Sequence, residues 1–295
     1  MQPTHAPLSL LDRLQLYGQL IRLDKPIGIF LLLWPTLWAL WIAADGLPDL
    51  TVLAVFCVGV FLMRSAGCAI NDYADRDIDL HVERTRNRPL AARLISPAEA
   101  LGVFAVLSLL AFSLVFFLNT ATRWMSVGGV LLAASYPFMK RFHHLPQIHL
   151  GIAFAWAVPM AYTAQTGAFP DRSGWMLFIA AILWTTAYDT MYAMTDREED
   201  LRIGVKSTAI LFGDADRVII GALQAMMLFA LYLVGREVGL HWPWHVGLAA
   251  AALFSLYQQF LIRQRNPRDC FRAFLNNNYL GMTLFVAVVV DKALY

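Results

Sequence analysis

Two short runs of aspartate interrupt an otherwise apolar sequence. The first, Asn71-Asp72-Tyr73-Ala74-Asp75-Arg76-Asp77-Ile78-Asp79, sets Asp72, Asp75 and Asp79 at i, i+3 and i+7. The second sets Asp189, Asp196 and Asp200 at i, i+7 and i+11. On a continuing helix each set occupies one face. Carboxylates brought together repel unless a cation compensates them. Mg2+ suits that task, because it takes one or two carboxylates, retains waters and completes its shell with substrate phosphate oxygens. Two facing clusters would therefore hold a diphosphate through bridging metal, with Asp72, Asp75, Asp79, Asp196 and Asp200 as ligands. The plainer alternative, solvated loop carboxylates, fits either run taken alone. Two runs in phase, each begun inside an apolar helix, favour a site, since charge within membrane segments marks function by default.

Both runs contain Asp-Arg-x-x-Asp, at 75–79 and at 196–200. Their equal placement suggests an internal pseudo-repeat facing one cavity. Basic residues follow: Arg84, Arg86 and Arg88 after the first run, Lys140 and Arg141 further on, and Lys206 after the second. Guanidinium and ammonium groups bind phosphate oxygens well, and Arg88 and Lys140 rank first for that role. Each of these cations also fits a simple marker of cytosolic topology.

The elements that must position these residues are membrane helices. Of 295 residues, 59% are apolar and 15% charged, against about 25% charged in a soluble domain, and the mean hydropathy is +0.55. Nine segments have the length and apolarity of spans: 26–44, 50–70, 96–118, 124–139, 148–165, 174–193, 214–234, 244–262 and 273–291. The connections are too short for a separate soluble domain, which leaves one all-α, polytopic domain over 1–295. A net charge of +2 with scattered basic residues gives no footprint for nucleic acid. Cys57, Cys68 and Cys270 lack disulfide or metal spacing. His143, His144 and His149 read as interfacial loop residues. No removable signal peptide is visible. Residues 9–22 place Leu10, Leu11, Leu14, Tyr17 and Ile21 at helical spacing, as in a helix lying on a membrane surface.

Lys and Arg resist translocation and so mark the cytosolic side. Nine spans with a cytosolic N-terminus put 19 of them inside and 4 outside. Trp41, Trp124, Trp175, Trp242 and Trp244 then fall at outer helix ends, where an aromatic belt would sit. Both aspartate runs lie on the cytosolic side, which places a central cavity open to the cytosol.

The residues around the runs resemble a known family, the UbiA-type membrane prenyltransferases, and within it the 4-hydroxybenzoate branch of ubiquinone biosynthesis. The resemblance covers nearly the whole chain. It rests on Leu23-Asp24-Lys25-Pro26-Ile27-Gly28, Leu33-Trp34-Pro35-Thr36-Leu37-Trp38, Asn71 to Asp79 with Asn87-Arg88-Pro89-Leu90, Tyr136-Pro137-Phe138-Met139-Lys140-Arg141, Tyr188 to Asp200 with Ile203 to Thr208, and Asn276-Asn277-Asn278-Tyr279. The family's NDxxDxxxD is met by Asn71, Asp72, Asp75 and Asp79, and its DxxxD by Asp196 and Asp200. The resemblance implies nine membrane helices, Mg2+ dependence, a polyprenyl diphosphate donor, 4-hydroxybenzoate as acceptor, and residence in a bacterial inner membrane.

Under that implication Asp72, Asn71 and Asp189 are the catalytic candidates. Asp189 would take a proton from the acceptor, and Asn71 would contact the acceptor or a metal-bound water. A polar helix–helix contact is the equal alternative for Asp189. Arg22, Lys25 or Arg64 would meet the acceptor's carboxylate, or else extend to lipid headgroups. Two other readings remain: the same fold with a different aromatic acceptor, and an ion-coupled transporter. The second ranks well behind, because carriers hold their charges near the bilayer midplane.

Overall fold

The computed structural model describes residues 9–295, the side chain of Lys140 excepted. Regular structure among these residues is helical throughout: α1 (Leu10–Leu20), α2 (Ile27–Ala43), α3 (Leu50–Asp75), α4 (Pro97–Val115), α5 (Thr120–Ser135), α6 (Met139–Phe142), α7 (Pro146–Ala155), α8 (Ala157–Thr166), α9 (Arg172–Ala193), α10 (Arg197–Ile203), α11 (Thr208–Phe212), α12 (Asp216–Glu237), α13 (Trp242–Leu261) and α14 (Pro267–Leu294).

Among the described residues, five stretches are long and apolar enough to cross a membrane: Leu50–Asp75, Pro97–Val115, Thr208–Glu237, Trp242–Gln264 and Pro267–Leu294. Their outward faces carry exposed residues such as Phe112, Phe229 and Leu253, a surface suited to lipid and costly in water. The shorter α2 is also apolar. The 22-residue α9 is more polar because it runs through the middle of the bundle. Its Ser173, Thr185, Thr186 and Thr190 are buried against protein.

The expected span over 148–165 is two helices meeting at Trp156. Pro159 has no N–H to offer the carbonyl four residues back, which weakens the ladder at that joint. α3 continues to Asp75, five residues past its expected end at 70, and so carries Asp72 and Asp75 on its own last turns.

The core gathers around α2, α9 and α14. The rings of Trp38 and Trp184 lie 5.2 Å apart, and the Trp38 indole donates to the Gly281 carbonyl at 3.1 Å. A side-chain carbon at Gly281 would fall 2.5 Å from Trp34 and 2.7 Å from Trp184, so only glycine admits this packing. Asn278 accepts from Trp34 at 2.9 Å and Asn277 from Trp184 at 2.8 Å, the helix-to-helix bonding expected of the asparagine run. Trp244 departs from the aromatic-belt expectation: it is fully buried and donates to the Leu231 carbonyl at 3.3 Å.

On the side carrying the aspartates, Ser9 and Asp12 form a capping box that starts α1. Leu16 and Leu20 pack inward, while Leu10, Leu11 and Leu14 are exposed, the two-faced character of a surface helix. Arg13 and Tyr17 tie α1 to Glu99 of α4 at 2.6 and 2.8 Å.

Candidate active site

The first aspartate run does not stay on one helix. α3 ends at Asp75 and the chain turns through 76–78, so Asp79 opens a short 3-10 turn, Asp79–His81. The turn still returns Asp79 to its partners: Arg88 donates to Asp72 at 3.1 Å and to Asp79 at 2.8 Å. Arg22 grips Asp72 from the other side, at 2.7 and 2.9 Å. Arg22 itself has φ +62, a left-handed conformation that non-glycine residues keep only where surroundings enforce it. Asn71 donates to Asp75 at 3.1 Å and accepts from the Tyr136 hydroxyl at 3.1 Å. Asp72, Asp75 and Asp79 are 1%, 2% and 6% exposed, so their charge must be answered within the protein.

The second run is likewise broken. α9 stops at Ala193, the Thr195 amide closes a turn onto the Tyr192 carbonyl at 3.0 Å, and Asp196 precedes the first residue of α10. Asp189, Asp196 and Asp200 therefore do not share one helical face, as the spacing predicts; two helices bring them to one chamber instead. Arg84 holds Asp196, its Nε lying 3.1 Å from both carboxylate oxygens, and its guanidinium sits 4.7 Å over the Tyr192 ring.

Asp75, Asp79, Asp196 and Asp200 line a polar chamber of about 180 Å³ together with Arg84, Arg88 and Lys206. Beside it is a larger, mostly apolar cavity of about 1060 Å³, bordered by Asp72 and Arg22 at one end and reaching Phe112, Leu118 and Val130 among the helices. Asn71, Arg84, Arg88, Tyr136, Asp189 and Tyr192 border both. A charged head and a long apolar tail thus have adjoining compartments.

Among the described residues no three His, Cys, Asp or Glu side chains converge into a metal cage. Several of the carboxylates are met by arginine instead. This donor set nonetheless fits Mg2+, which favours hard oxygen donors, needs few from protein and leaves room for water and phosphate.

Burial pushes the Asp79 carboxyl upward, and Arg88 offsets that rise without cancelling it, while Asp75 and Asp72 add to it. For Arg84, burial opposes the charged form, but Tyr192 and Asp196 outweigh it and raise the group above the ordinary arginine value. Arg84 therefore stays a fixed cation of the chamber.

The remaining expected residues are distributed as follows. Arg64 borders the large cavity, donates to the Cys68 thiol, and has a buried Nε without a hydrogen-bond partner. A side-chain carbon at Gly28 would lie 2.3 Å from that Nε, so glycine makes the space the guanidinium uses. Lys25 borders the same cavity and is largely exposed. Lys206 reaches the Phe142 carbonyl at 3.2 Å. Arg141 turns away, donating to the Ala74 carbonyl and lying 5.6 Å over Phe138. The side chain of Lys140 lies outside the described residues. Arg84 belongs to the basic group expected after the first run, although Arg88 and Lys140 rank above it there; Tyr136 and Tyr192 are not singled out by spacing, although Tyr192 stands one turn after Tyr188 and Asp189 and so shares their side of α9.

Fold and cavities define an integral-membrane helical bundle with a charged chamber joined to an apolar one. The model of the UbiA prenyltransferase family matches residues 32–285. A 4-hydroxybenzoate octaprenyltransferase from Alkalilimnicola ehrlichii is 60% identical over 95% of both chains. One from Methylococcus capsulatus is 58% identical over 97% of this chain and 98% of its own. Among solved structures, a UbiA homolog from Aeropyrum pernix K1 superposes with a TM-score of 0.79 at 27% identity, covering 90% of this chain and 97% of that one. A UbiA homolog from Archaeoglobus fulgidus bound to GPP and Mg2+ shares the fold, with a TM-score of 0.69 at 19% identity over 93% and 99% of the two chains. The chain belongs to the UbiA prenyltransferase family.

Proposed function

We propose that this transferase moves a polyprenyl group from polyprenyl diphosphate to the ring carbon ortho to the hydroxyl of 4-hydroxybenzoate, giving 3-polyprenyl-4-hydroxybenzoate and diphosphate for ubiquinone biosynthesis. The observation that carries this reading is the pair of adjoining compartments, charged and apolar, that share Asn71, Arg84, Arg88, Tyr136, Asp189 and Tyr192 on their borders. The relatives named for 4-hydroxybenzoate support the choice of acceptor, and the bilayer is the source of the donor.

Asp75, Asp79, Asp196 and Asp200, with Asp72 at the rim, would hold Mg2+. When bound, the metal supplies positive charge to the diphosphate oxygens and so favours departure of that group. Arg84, Arg88 and Lys206 add fixed positive charge around the same oxygens. The allylic carbon–oxygen bond breaks with its electron pair leaving on diphosphate. The ring carbon ortho to the phenol then forms the new carbon–carbon bond, and the proton it carried is lost. Asp189, bordering both compartments, is the group assigned to take a proton from the acceptor, and Asn71 orients it. The rings of Tyr188, Tyr192, Phe271 and Phe274 border the large cavity, with Tyr192 and Phe274 centroids 4.7 Å apart, and their faces favour an allylic cation.

Arg64 is the cation assigned to the acceptor's carboxylate. Its buried Nε lacks a partner, whereas Arg22 is already committed to Asp72 and Lys25 sits at the exposed margin. We further propose nine membrane spans in a bacterial inner membrane, with the N-terminus and the charged chamber on the cytosolic side, a reading supported by the distribution of Lys and Arg.

The test supplies one polyprenyl diphosphate and a panel of hydroxylated aromatic acids to purified protein and identifies products by mass. A Mg2+-dependent, ring-prenylated 4-hydroxybenzoate is expected. Prenylation of other acceptors with 4-hydroxybenzoate untouched would overturn the choice of acceptor.

A further inference from the structure

Asp196 and Arg197 are consecutive, and they point to opposite sides of the turn between α9 and α10. Asp196 meets Arg84 in the charged chamber. Arg197 turns the other way and donates to Asp216, the first residue of α12, at 3.3 Å. Asp216 is fully buried and is gripped again by Arg265, from the turn between α13 and α14, through contacts at 2.9, 2.9 and 3.1 Å. The Arg217 amide adds a bond at 2.6 Å, and Arg265 also donates to the Asp214 carbonyl at 2.8 Å. None of Arg197, Asp216 or Arg265 borders either cavity.

We propose that Asp216 and Arg197 are positioning residues, which fix the α9–α10 turn and thereby hold Asp196 and Asp200 in the geometry that receives magnesium diphosphate. The physical reason lies in the turn itself. α10 has only seven residues, none of them buried, so its own packing cannot hold it against the bundle. A fully buried carboxylate must have its charge and lone pairs met within the protein, and Asp216 therefore draws Arg197, beside Arg265, to a defined place. Because the peptide links adjacent α-carbons at a fixed spacing of about 3.8 Å, placing Arg197 places Asp196. Arg265 has φ +55, a backbone conformation enforced by its surroundings, and completes the anchor from α13. The second carboxylate run is thus supported from behind by α12 and the α13–α14 turn, and from the front by Arg84.

The inference rests on the reading of Asp196 and Asp200 as ligands of a magnesium-bound diphosphate, and the experiment separates the two. Wild type, Arg197→Gln, Arg197→Lys and Asp216→Asn are compared in detergent for thermal stabilisation by inorganic diphosphate across a Mg2+ titration. Amide hydrogen exchange over residues 195–203 is measured without ligand, and the Mg2+ dependence of prenyl transfer is followed alongside. In Arg197→Gln, exchange over that segment rises and the Mg2+ concentration for half-maximal stabilisation and activity increases about tenfold, with kcat at saturating Mg2+ changed less. Arg197→Lys restores much of the wild-type response. Asp216→Asn, when it folds, shifts the same midpoint in the same direction. Because the Arg197 side chain is partly exposed, its variants keep the test intact even where Asp216→Asn is unstable. An Arg197→Gln protein whose midpoint equals that of wild type overturns the inference alone. A wild type that magnesium diphosphate does not stabilise overturns the underlying reading and the inference with it.

Discussion

Arg84 and Asp196, 112 residues apart in sequence, are joined by a guanidinium whose Nε stands 3.1 Å from each carboxylate oxygen. This contact closes the charged chamber, because it ties the loop behind the first aspartate run to the turn that begins the second. Together with the bonds of Arg88 and Arg22 to Asp72 and Asp79, it supplies compensating charge to the carboxylates.

Arg84→Ala should lower kcat/KM for the donor by about 100-fold, the scale for removing one preorganised charge from a developing anion. Arg84→Lys should recover little, as an ammonium cannot reproduce the forked contact. Steady-state kinetics with varied polyprenyl diphosphate decide this, and wild-type kinetics in Arg84→Ala would remove Arg84 from the machinery.

Asp75→Ala and Asp196→Ala should each reduce prenyl transfer by at least about 100-fold, while membrane insertion and the unfolding temperature without ligand stay close to wild type. The same variants should lose stabilisation by magnesium diphosphate. Full activity in either one refutes the metal assignment.

Arg64→Gln should raise KM for 4-hydroxybenzoate about 10- to 100-fold, corresponding to roughly 1.5–3 kcal/mol for a hydrogen bond to a charged group. The donor KM should change little. Gly28→Ala should reproduce this effect in weaker form, because the added carbon would displace the end of the Arg64 side chain without striking backbone. An unchanged acceptor KM in both would free Arg64 of that role.

Glu99 tethers α1 to α4, accepting from Arg13 at 2.6 Å and from the Tyr17 hydroxyl at 2.8 Å. Glu99→Gln should therefore quicken amide hydrogen exchange over α1 at neutral pH, because the ion pair and one charge-assisted bond are lost, and exchange as slow as in wild type would contradict the tether.

The chemistry of this protein was legible from its sequence because it is encoded locally. Aspartate spacing, the apolar lengths around it and the sidedness of Lys and Arg each need only a short window of chain. The strings flanking Asn71 and Asp196 carried the family for the same reason. Helical phase was a poorer guide: it treated each aspartate run as one continuous face, whereas the backbone turns at 76–78 and again at 194–196. Those turns depend on partners distant in sequence, such as Arg84 for Asp196 and Asp216 for Arg197. Only tertiary structure could commit Arg22 to Asp72, turn Arg141 away onto the Ala74 carbonyl, and leave Arg64 facing the large cavity with an unpaired nitrogen. A cation in a sequence is simply a charge with a long reach. Which carboxylate, carbonyl or open space it meets is set by burial, where each charge must find a partner or remain available for one.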